Sequence, residues 1–434
     1  MLIRRTLLFI LLASSLKAQG LFDQAVQNDE ETVKSAYELG GFMRGVWFGG
    51  RRTDMDKAET KSGTAEAALK LWVRKAQFGD AFAEIRFRRG SEFGEIVHGL
   101  QLREAYINAY LGRVDIRLGH QIIVWGRADG FNPTNNLTPQ NMLVRSPDED
   151  DRREGNFAAR VNVDLHPVNL EVIWVPAYAP SVLPIQAIPL PGSIIFAEMN
   201  PVRSNLAAAF GLKTELNLAS FDGSVSYFYG YAPLPGIKGE IMQIGFLIHP
   251  APYKMDAFGA DFSTTLGPIG LRGEYVYRVP DGDHVAAPYI PNPDHQLVLG
   301  LDKTWGDLSV NLQYIGRRIE NFRQVEEPED FWDFPTYEIE IKNRMIAQQT
   351  SKTSHAVSFR PAWNLRHETL TLECLGMVNW TTEEWLIRPK IAYDITDDLT
   401  CTLGGEFYGG PDGTLFGAMD RALSAVFAEL RASF

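Results

Sequence analysis

Apolar and polar residues alternate along most of the chain after Gly40. The alternation is clear in residues 160–165, 206–216 and 308–314, where every second side chain is apolar and its neighbours are polar or charged. Successive side chains of a β-strand point to opposite faces of the sheet, so this period of two predicts strands with one apolar and one polar face. We therefore expect an all-β protein.

The connections between these strands alternate between short and long. Tight turns are predicted near 79–80, 112–113, 166–169, 220–223, 267–270, 306–307, 366–368 and 396–398. Longer segments lie near 50–62, 90–97, 126–155, 178–203, 233–255, 280–294, 318–351, 381–384 and 409–420. Short turns at one end and long loops at the other are typical of outer-membrane barrels. Eight turns and nine loops predict about eighteen antiparallel strands, with sixteen as the alternative.

The end of the chain strengthens the prediction of a transmembrane β-barrel. Residues 426–434 alternate again, and Phe434 is the last residue. A terminal aromatic on an amphipathic strand resembles the signal that the outer-membrane assembly machinery reads. Inside a bilayer only helices and closed sheets satisfy every backbone hydrogen bond. A soluble β-sandwich, propeller or solenoid is the alternative.

The amino terminus predicts export. Arg4 and Arg5 precede an apolar run at residues 7–13, and small residues lead to Ala18, which is the layout of a signal peptide. We therefore divide the chain into a signal peptide (1–18), a periplasmic segment (19–38) and the barrel (39–434). Beyond residue 18 no stretch approaches the ~20 apolar residues of a membrane helix.

Composition and motifs exclude several other functions. The formal net charge of −12 argues against nucleic acid as a partner. The two cysteines have no metal-type spacing, and the chain contains no GxSxG, HExxH, Walker or dinucleotide motif. We expect no enzyme activity, no cofactor and no metal site.

The alternation also assigns the residues that face the lumen. An eighteen-stranded barrel leaves a lumen wide enough for water, and charged side chains there tune selectivity. The alternative is that these charges only hydrate the lumen and pair across strands. The candidates for lining the pore are Arg86, Arg88, Glu104, Asp115, Arg117, Arg160, Asp164, Arg272, Glu274, Arg388 and Lys390.

Two of the predicted loops, at 178–203 and 233–254, are unusually rich in Pro, Ile and Leu. A loop in water would not expose so many apolar residues together. They could constrict the lumen, line an apolar route for a hydrophobic substrate, pack on each other as a cap, or contact a partner protein. The constriction-loop candidates are Ile185, Ile188, Leu190, Ile194 and Phe196.

A third loop follows Trp125 and Gly126. We expect Trp125 at the outer rim of the membrane, where tryptophan is favoured, and the loop packed into the barrel mouth with Arg127 and Asp129 paired inside it.

Residues 102–141 carry a family resemblance. They contain LREAY at 102–106, RLGHQ at 117–121 and VWGRADG at 124–130. This stretch resembles a family of large proteobacterial outer-membrane proteins that is described as a domain of unknown function, and the C-terminal segment is similar to theirs. His120 departs from the pattern, where Arg is expected. The resemblance implies an outer-membrane channel for apolar organic compounds or lipids, while a layout similar to alginate-export porins keeps polysaccharide as a rival cargo.

The sequence thus predicts an integral outer-membrane channel for a solute. The alternatives are a gated transporter for hydrophobic organic molecules or lipids, and a non-conducting scaffold barrel that holds a partner protein. The expected partners are outer-membrane lipid and lipopolysaccharide, the barrel-assembly machinery through the C-terminal strand, and a periplasmic protein.

Overall fold

A computed structural model describes residues 36–51, 57–75, 78–182, 194–196, 208–242, 245–330 and 334–434. Residues 39–434 belong to one compact unit. The predicted signal peptide and most of the predicted periplasmic segment lie outside the described residues, so both stay predictions.

Eighteen strands of the described residues form one antiparallel sheet. They are β1 (Tyr37–Arg51), β2 (Ala58–Lys75), β3 (Gly79–Glu92), β4 (Glu95–Leu111), β5 (Val114–Gln121), β6 (Asn156–Asp164), β7 (Val168–Val175), β9 (Ala209–Asn217), β10 (Phe221–Tyr231), β13 (Lys254–Leu266), β14 (Ile269–Pro280), β15 (Asp294–Trp305), β16 (Leu308–Ile319), β17 (Thr353–Leu365), β18 (Leu370–Asn379), β19 (Glu384–Thr396), β20 (Leu399–Gly409) and β21 (Ala425–Ser433). The predicted number is confirmed, and the alternative of sixteen is wrong.

The sheet closes on itself between its first and last strands. β1 pairs with β21 from Phe42 opposite Ser433 to Gly50 opposite Ala425. Phe434 extends the seam, because its backbone N–H donates to Gly41 O and its carbonyl accepts from Gly41 N. Closure leaves no sheet edge at the seam, which is the requirement for a sheet in lipid.

The two faces of the sheet follow the alternation. On β2, Leu69, Leu71 and Val73 are exposed on the outer surface, whereas Glu66 is buried inside, and so is Arg44 of β1. A barrel with an apolar outside and a charged inside is stable only with lipid around it. The fold is that of an integral outer-membrane β-barrel.

Regular structure also occurs in the long connections. β8 (Ile194–Phe196), β11 (Gly236–Met242) and β12 (Gly245–Ala251) form a small separate sheet. Among the described residues two α-helices, α1 (Phe334–Ile346) and α2 (Leu415–Leu423), and a short 3₁₀ helix (Glu149–Arg152) lie in loops. None of the described helices is long and apolar enough to cross a membrane.

One predicted loop is a tight turn instead. Between β3 and β4 only Phe93 and Gly94 lie outside the strands, and both have positive φ. The two strands pair up to Glu92 opposite Glu95. The prediction of a longer loop near 90–97 is therefore wrong, because the polar residues there belong to a hairpin that continues past the apolar belt.

Four neighbouring strands are short. β5, β6, β7 and β9 have eight or nine residues each, and we call them the low wall. The pairing of β4 with β5 begins only at Ala105 opposite His120. Residues 95–104 of β4 therefore extend beyond the low wall toward the end of the barrel that carries the long loops.

Candidate functional site

The loop at residues 122–155, which we call the inner loop, enters the barrel directly after β5. Its first backbone N–H, at Ile122, donates to the Glu104 carboxylate. The indole of Trp125 donates to Glu171 at 2.6 Å and is only 2% exposed. The expectation that Trp125 sits at the outer rim is wrong, because a buried carboxylate holds its polar edge inside.

The inner loop is next anchored by Glu274 of β14. This carboxylate accepts the backbone N–H groups of Arg127 and Ala128 and the hydroxyl of Thr134. Gly126 has φ +102°, and a Cβ there would lie 2.5 Å from the Glu274 carboxylate. Glycine is therefore required for the backbone to wrap around the acceptor.

The charged side chains of this segment bind to the barrel rather than to each other. Arg127 pairs with Asp261 of β13 at 2.7 Å. The two carboxylate oxygens of Asp129 accept hydrogen bonds from Arg360 of β17, at 3.1 and 3.2 Å. The predicted pair of Arg127 with Asp129 is therefore wrong, since each finds its partner on a different strand.

A second anchor is Asp151 in the 3₁₀ helix. It accepts from Arg44 of β1 at 2.6 Å and from Arg86 of β3 at 2.7 Å, and Ser146 donates its hydroxyl to it. Burial alone would raise the pKa of Asp151, but the charges of Arg44 and Arg86 outweigh it and hold that pKa below its usual range. Asp151 is therefore ionised wherever the barrel is folded near neutral pH.

A third anchor is Glu406 of β20, which is fully buried. Two inner-loop residues bind it, Arg145 at 2.8 Å and Arg152 at 3.3 Å, and Arg388 of β19 lies at 3.5 Å. Arg145 also donates to the carbonyl of Leu423 at the end of α2. Together the three anchors tie the inner loop to both sides of the barrel, so the loop crosses the lumen.

Apolar contacts fill the space between the inner loop and the inner faces of β6, β7, β10, β13 and β14. A buried cluster joins Ile123, Trp125 and Leu137 of the loop to the inner faces of the strands. Its strand members are Ala158, Ile173, Val175, Phe228, Met255, Ala257 and Val276.

A chamber of about 510 Å³ lies on the outer side of the inner loop. It is bounded by the inner loop, the upper barrel wall, α1, α2 and the β11–β12 hairpin. Most of the lining is apolar. The largest apolar side chains around it include Phe131, Ile248, Met255, Leu375, Leu386 and Phe416.

The roof of the chamber is fixed by two amide side chains. Asn343 of α1 both donates to and accepts from the backbone of Ile237, at 2.8 Å each. Gln349 does the same with the backbone of Asn292, at 2.8 and 2.9 Å. Paired amide contacts of this kind satisfy buried backbone groups and fix the position of α1 over the lumen.

The chamber wall also carries a compact charged cluster. Asp294 accepts two hydrogen bonds from Arg278, at 2.8 and 3.1 Å, and one from Arg317 at 2.7 Å. Gln296 accepts a further bond from Arg278. Two guanidinium groups face one carboxylate, so this part of the wall has an excess positive charge.

Most residues predicted to line the pore are engaged in ion pairs or hydrogen bonds. Arg88 pairs with Glu66 and Glu92, Arg160 with Glu171, Arg272 with Asp302, and Lys390 with Glu373. Arg86, Glu104, Glu274 and Arg388 hold the inner loop or its anchors. Of the eleven candidates, Arg388 alone borders the chamber.

The remaining candidates lie toward the short-turn end. Arg117 stacks over the ring of Tyr106 at 4.1 Å and donates to Asn108. Asp115 is exposed, and Asp164 accepts from the backbone of His166 in the turn. Whether any of the eleven residues lines the path of a solute stays a prediction.

The predicted constriction residues are only partly within the described residues. Ile185, Ile188 and Leu190 lie outside them. Ile194 and Phe196 are the ends of β8, whose backbone pairs in parallel with β12. Their role in a constriction stays a prediction.

Several residues of the site were not among the sequence candidates. Arg44, Asp261 and Glu406 are inward-facing residues of barrel strands, and the alternation could have found them. Arg145 and Asp151 belong to the inner loop, where no period assigns a face. No group of three or more metal-ligating side chains occurs in the described ranges.

Comparison with known proteins defines the class of fold. No family model matches the chain, and no curated protein matches it. Solved structures from Pseudomonas aeruginosa do match. OpdK, crystallised with vanillate, has a TM-score of 0.55 at 9% identity over 92% of this chain and 98% of its own. OpdL has a TM-score of 0.53 at 9% identity, over 92% of this chain and 98% of its own. OccK9 (OpdG) has a TM-score of 0.53 at 10% identity, over 93% and 99%.

The chain is therefore similar in fold to these solved structures, and its own fold is an eighteen-stranded outer-membrane β-barrel. The family motif and the likeness to alginate-export porins find no match among these comparisons.

Proposed function

We propose that the protein is an outer-membrane channel for small organic molecules with a largely apolar body and one anionic group. The chamber beyond the inner loop is the observation that carries this proposal. Its volume of about 510 Å³ lies within the usual 300–1,000 Å³ of small-molecule sites. An apolar lining with few charged groups is typical of sites that bind organic molecules rather than hydrated ions.

The charge around the chamber favours an anion. Its lining includes five basic residues, Arg152, Arg278, Arg317, Lys342 and Arg388, and two carboxylates, Asp294 and Glu149. Glu406 behind the lining faces Arg152 and Arg388, so the basic groups still outnumber the carboxylates by five to three. Guanidinium groups bind carboxylates through paired hydrogen bonds. The structure of OpdK contains vanillate, which fits the same kind of solute.

The other functions considered from the sequence fit less well. The inner loop occupies the space that a partner protein held inside the barrel would need, which argues against a scaffold. The charged side chains around the inner loop form ion pairs with one another, and we propose no catalytic role for them. Contacts with lipopolysaccharide, a periplasmic protein and the assembly machinery are further proposals that the C-terminal strand and the apolar belt support.

The test is current through the refolded protein in a planar bilayer. Three probes separate the two features of the chamber: benzoate, acetate with the same charge but no apolar body, and benzyl alcohol with the same body but no charge. We expect benzoate to interrupt the current at the lowest concentration. Steady nanosiemens-scale steps that all three probes leave unchanged would contradict the proposal.

A pair of variants locates the effect. Phe416→Gln removes an aromatic side chain from the chamber wall, and we expect it to weaken the block by benzoate. Asp412→Asn, on the exposed part of the same loop, is the matched control. Equal block in both variants would place the binding site elsewhere.

A further inference from the structure

We infer that the ion pair between Asp129 of the inner loop and Arg360 of β17 is a gate, and that the solute opens this gate by exchange. The carboxylate of the solute takes the place of the Asp129 carboxylate on Arg360. This inference rests on the proposed function. It adds a residue that binds the solute and the step by which the solute leaves the chamber.

The pair lies just below the chamber, on the side of the short turns. On β18, Leu375 lines the chamber, and Glu373 lies two residues nearer the short turn between β17 and β18. Arg360 binds Glu373 at 3.0 Å. Two residues of a strand span about 7 Å. A small molecule whose apolar body is still in the chamber can therefore reach Arg360 with its anionic end.

The part of the inner loop that carries Asp129 separates the chamber from the lumen below it. Gly130 and Phe131, the next two residues, line the chamber. Phe131 packs against a buried cluster that includes Met377 and Leu386 of the barrel wall. The side chain of Asp129 itself is 38% exposed, so it is in contact with the water of the lumen.

Both ends of this segment are fixed, and its middle is held to the wall by the ion pair. Glu274 accepts the backbone N–H of Ala128 before the segment and the hydroxyl of Thr134 after it. Between these two points, Asp129 supplies the hydrogen bonds to the barrel wall. Release of Asp129 therefore frees the middle of the segment while its ends stay in place.

The residue after Asp129 permits this movement. Gly130 has φ +82°, and a Cβ built there would have no atom within 4 Å. Glycine adopts left-handed and right-handed conformations about equally well. The backbone next to the ion pair thus has both the conformational freedom and the space to turn away from β17.

The exposure of this ion pair allows a dissolved carboxylate to compete for it. The side chains of Arg360 and Asp129 are 34% and 38% exposed, whereas those of Asp151 and Glu406 are 6% and 0% exposed. Exposed ion pairs are weak because water competes for both charges, whereas breaking a buried pair leaves an uncompensated charge. We therefore expect exchange at Asp129 and not at the two buried anchors.

The charges around Arg360 favour an anion once Asp129 has left. Arg360 and Lys390 both bind Glu373, at 3.0 and 3.4 Å. Without Asp129, these two cations face one carboxylate. Guanidinium groups bind carboxylates through paired hydrogen bonds, so the solute compensates the charge that Asp129 leaves behind. When the solute moves on, Asp129 returns and closes the gate.

Two substitutions distinguish exchange from a purely structural ion pair. Asp129→Asn and Arg360→Gln each break the pair, so both should raise the frequency of openings in KCl alone, by about fivefold for an exposed pair. Their responses to benzoate should differ. Asp129→Asn removes the internal competitor, so half-maximal block of the open channel should need about fivefold less benzoate. Arg360→Gln removes the binding group, so half-maximal block should need more benzoate than in the unmodified channel.

Asp302→Asn is the matched control for a change of charge in the lumen. Asp302 of β15 pairs with Arg272 of β14 at 3.2 Å, with side chains 35% and 40% exposed. This pair joins two barrel strands and does not hold the inner loop. We expect the opening frequency of the unmodified protein. An equal rise in Asp302→Asn and Asp129→Asn would overturn the gate, because lumen charge alone would then set the openings.

The outcomes separate this inference from the proposed function. Heat-dependent migration on gels confirms that each variant is a folded barrel. Unchanged opening frequencies in Asp129→Asn and Arg360→Gln would overturn the gate. If benzoate blocks the unmodified channel and both variants at the same concentration, the exchange is overturned and the proposed function stands. If benzoate blocks none of these proteins, the proposed function fails and the exchange fails with it.

Discussion

Replacing Asp151 by asparagine tests whether the inner loop is held in the lumen by its ion pairs. The substitution removes the charge that Arg44 and Arg86 share. Breaking a buried ion pair costs about 3–5 kcal/mol. In the variant Arg44 still pairs with Glu66 and Glu429, and Arg86 still pairs with Glu84 and Glu66. We therefore expect a cost at the lower limit of this range, about 3 kcal/mol.

A loss of about 3 kcal/mol shifts the equilibrium between docked and released loop by roughly 150-fold, since 1.36 kcal/mol is a factor of ten. We expect a corresponding rise in the frequency of large openings in single-channel records. Trypsin should then cut after Arg145 and Arg152, which the docked loop shields. An unchanged opening frequency in a correctly folded Asp151→Asn barrel would refute the reasoning.

The adjacent residue provides the control. Asp150 pairs with Arg153 at the surface, with its side chain mostly exposed. A surface pair contributes about 0–1 kcal/mol, so Asp150→Asn should leave the openings nearly unchanged. Equal effects of the two substitutions would show that the helix as a whole, not the buried charge, holds the loop.

The pH dependence of docking follows from the same charge. The pKa of Asp151 is lowered in the folded protein, so its contribution is fully present above the ordinary carboxyl pKa of about 3.9. It is lost only as the pH falls through the lowered value. We expect constant opening frequency from neutral pH down to about pH 4.5 and a rise in more acidic solution. A rise in the opening frequency already between pH 7 and 5 would show that a titratable group other than Asp151 controls docking of the inner loop.

Three further predictions concern single residues. Trp125→Phe removes the hydrogen bond to Glu171 and should lower the free energy of unfolding by about 2 kcal/mol in urea titrations, while Trp305→Phe on the outer surface should cost less. Arg117→Gln should move the reversal potential in a KCl gradient toward cations if Arg117 borders the path, and Arg113→Gln in the exposed turn should not; identical potentials would remove Arg117 from the path. Deletion of Phe434 removes both hydrogen bonds to Gly41 and should slow assembly in pulse-chase experiments without changing the conductance of the barrels that do form.

The architecture of the barrel was predictable because it depends on a local pattern. Alternation decides which face each strand residue occupies, and turns mark where strands end, so the number of strands followed from sequence. The hairpin at Phe93 and Gly94 was mistaken for a loop because its polar residues continue the strands past the lipid. Polarity alone does not distinguish a strand in water from a loop.

The candidate site was less predictable because its contacts are far apart in sequence. Arg145 and Glu406 are an example: nothing near either residue indicates the other. The inner loop has no periodicity that would assign faces, and its acidic run near Asp151 is indistinguishable from a solvated surface. The inward turn after β5 depends on Glu171 of β7 and Glu274 of β14, which are far apart in sequence and both contact the inner loop.

The distribution of the inner loop's anchors implies an order of assembly. Arg44 lies on β1 and Glu406 on β20, near opposite ends of the chain, and they reach the same loop only after the β1–β21 seam has formed. Contacts between residues so distant in sequence form late in folding. Docking of the loop therefore reports that insertion is complete: a chain halted before seam closure keeps its loop accessible to proteases, and the finished barrel shields it.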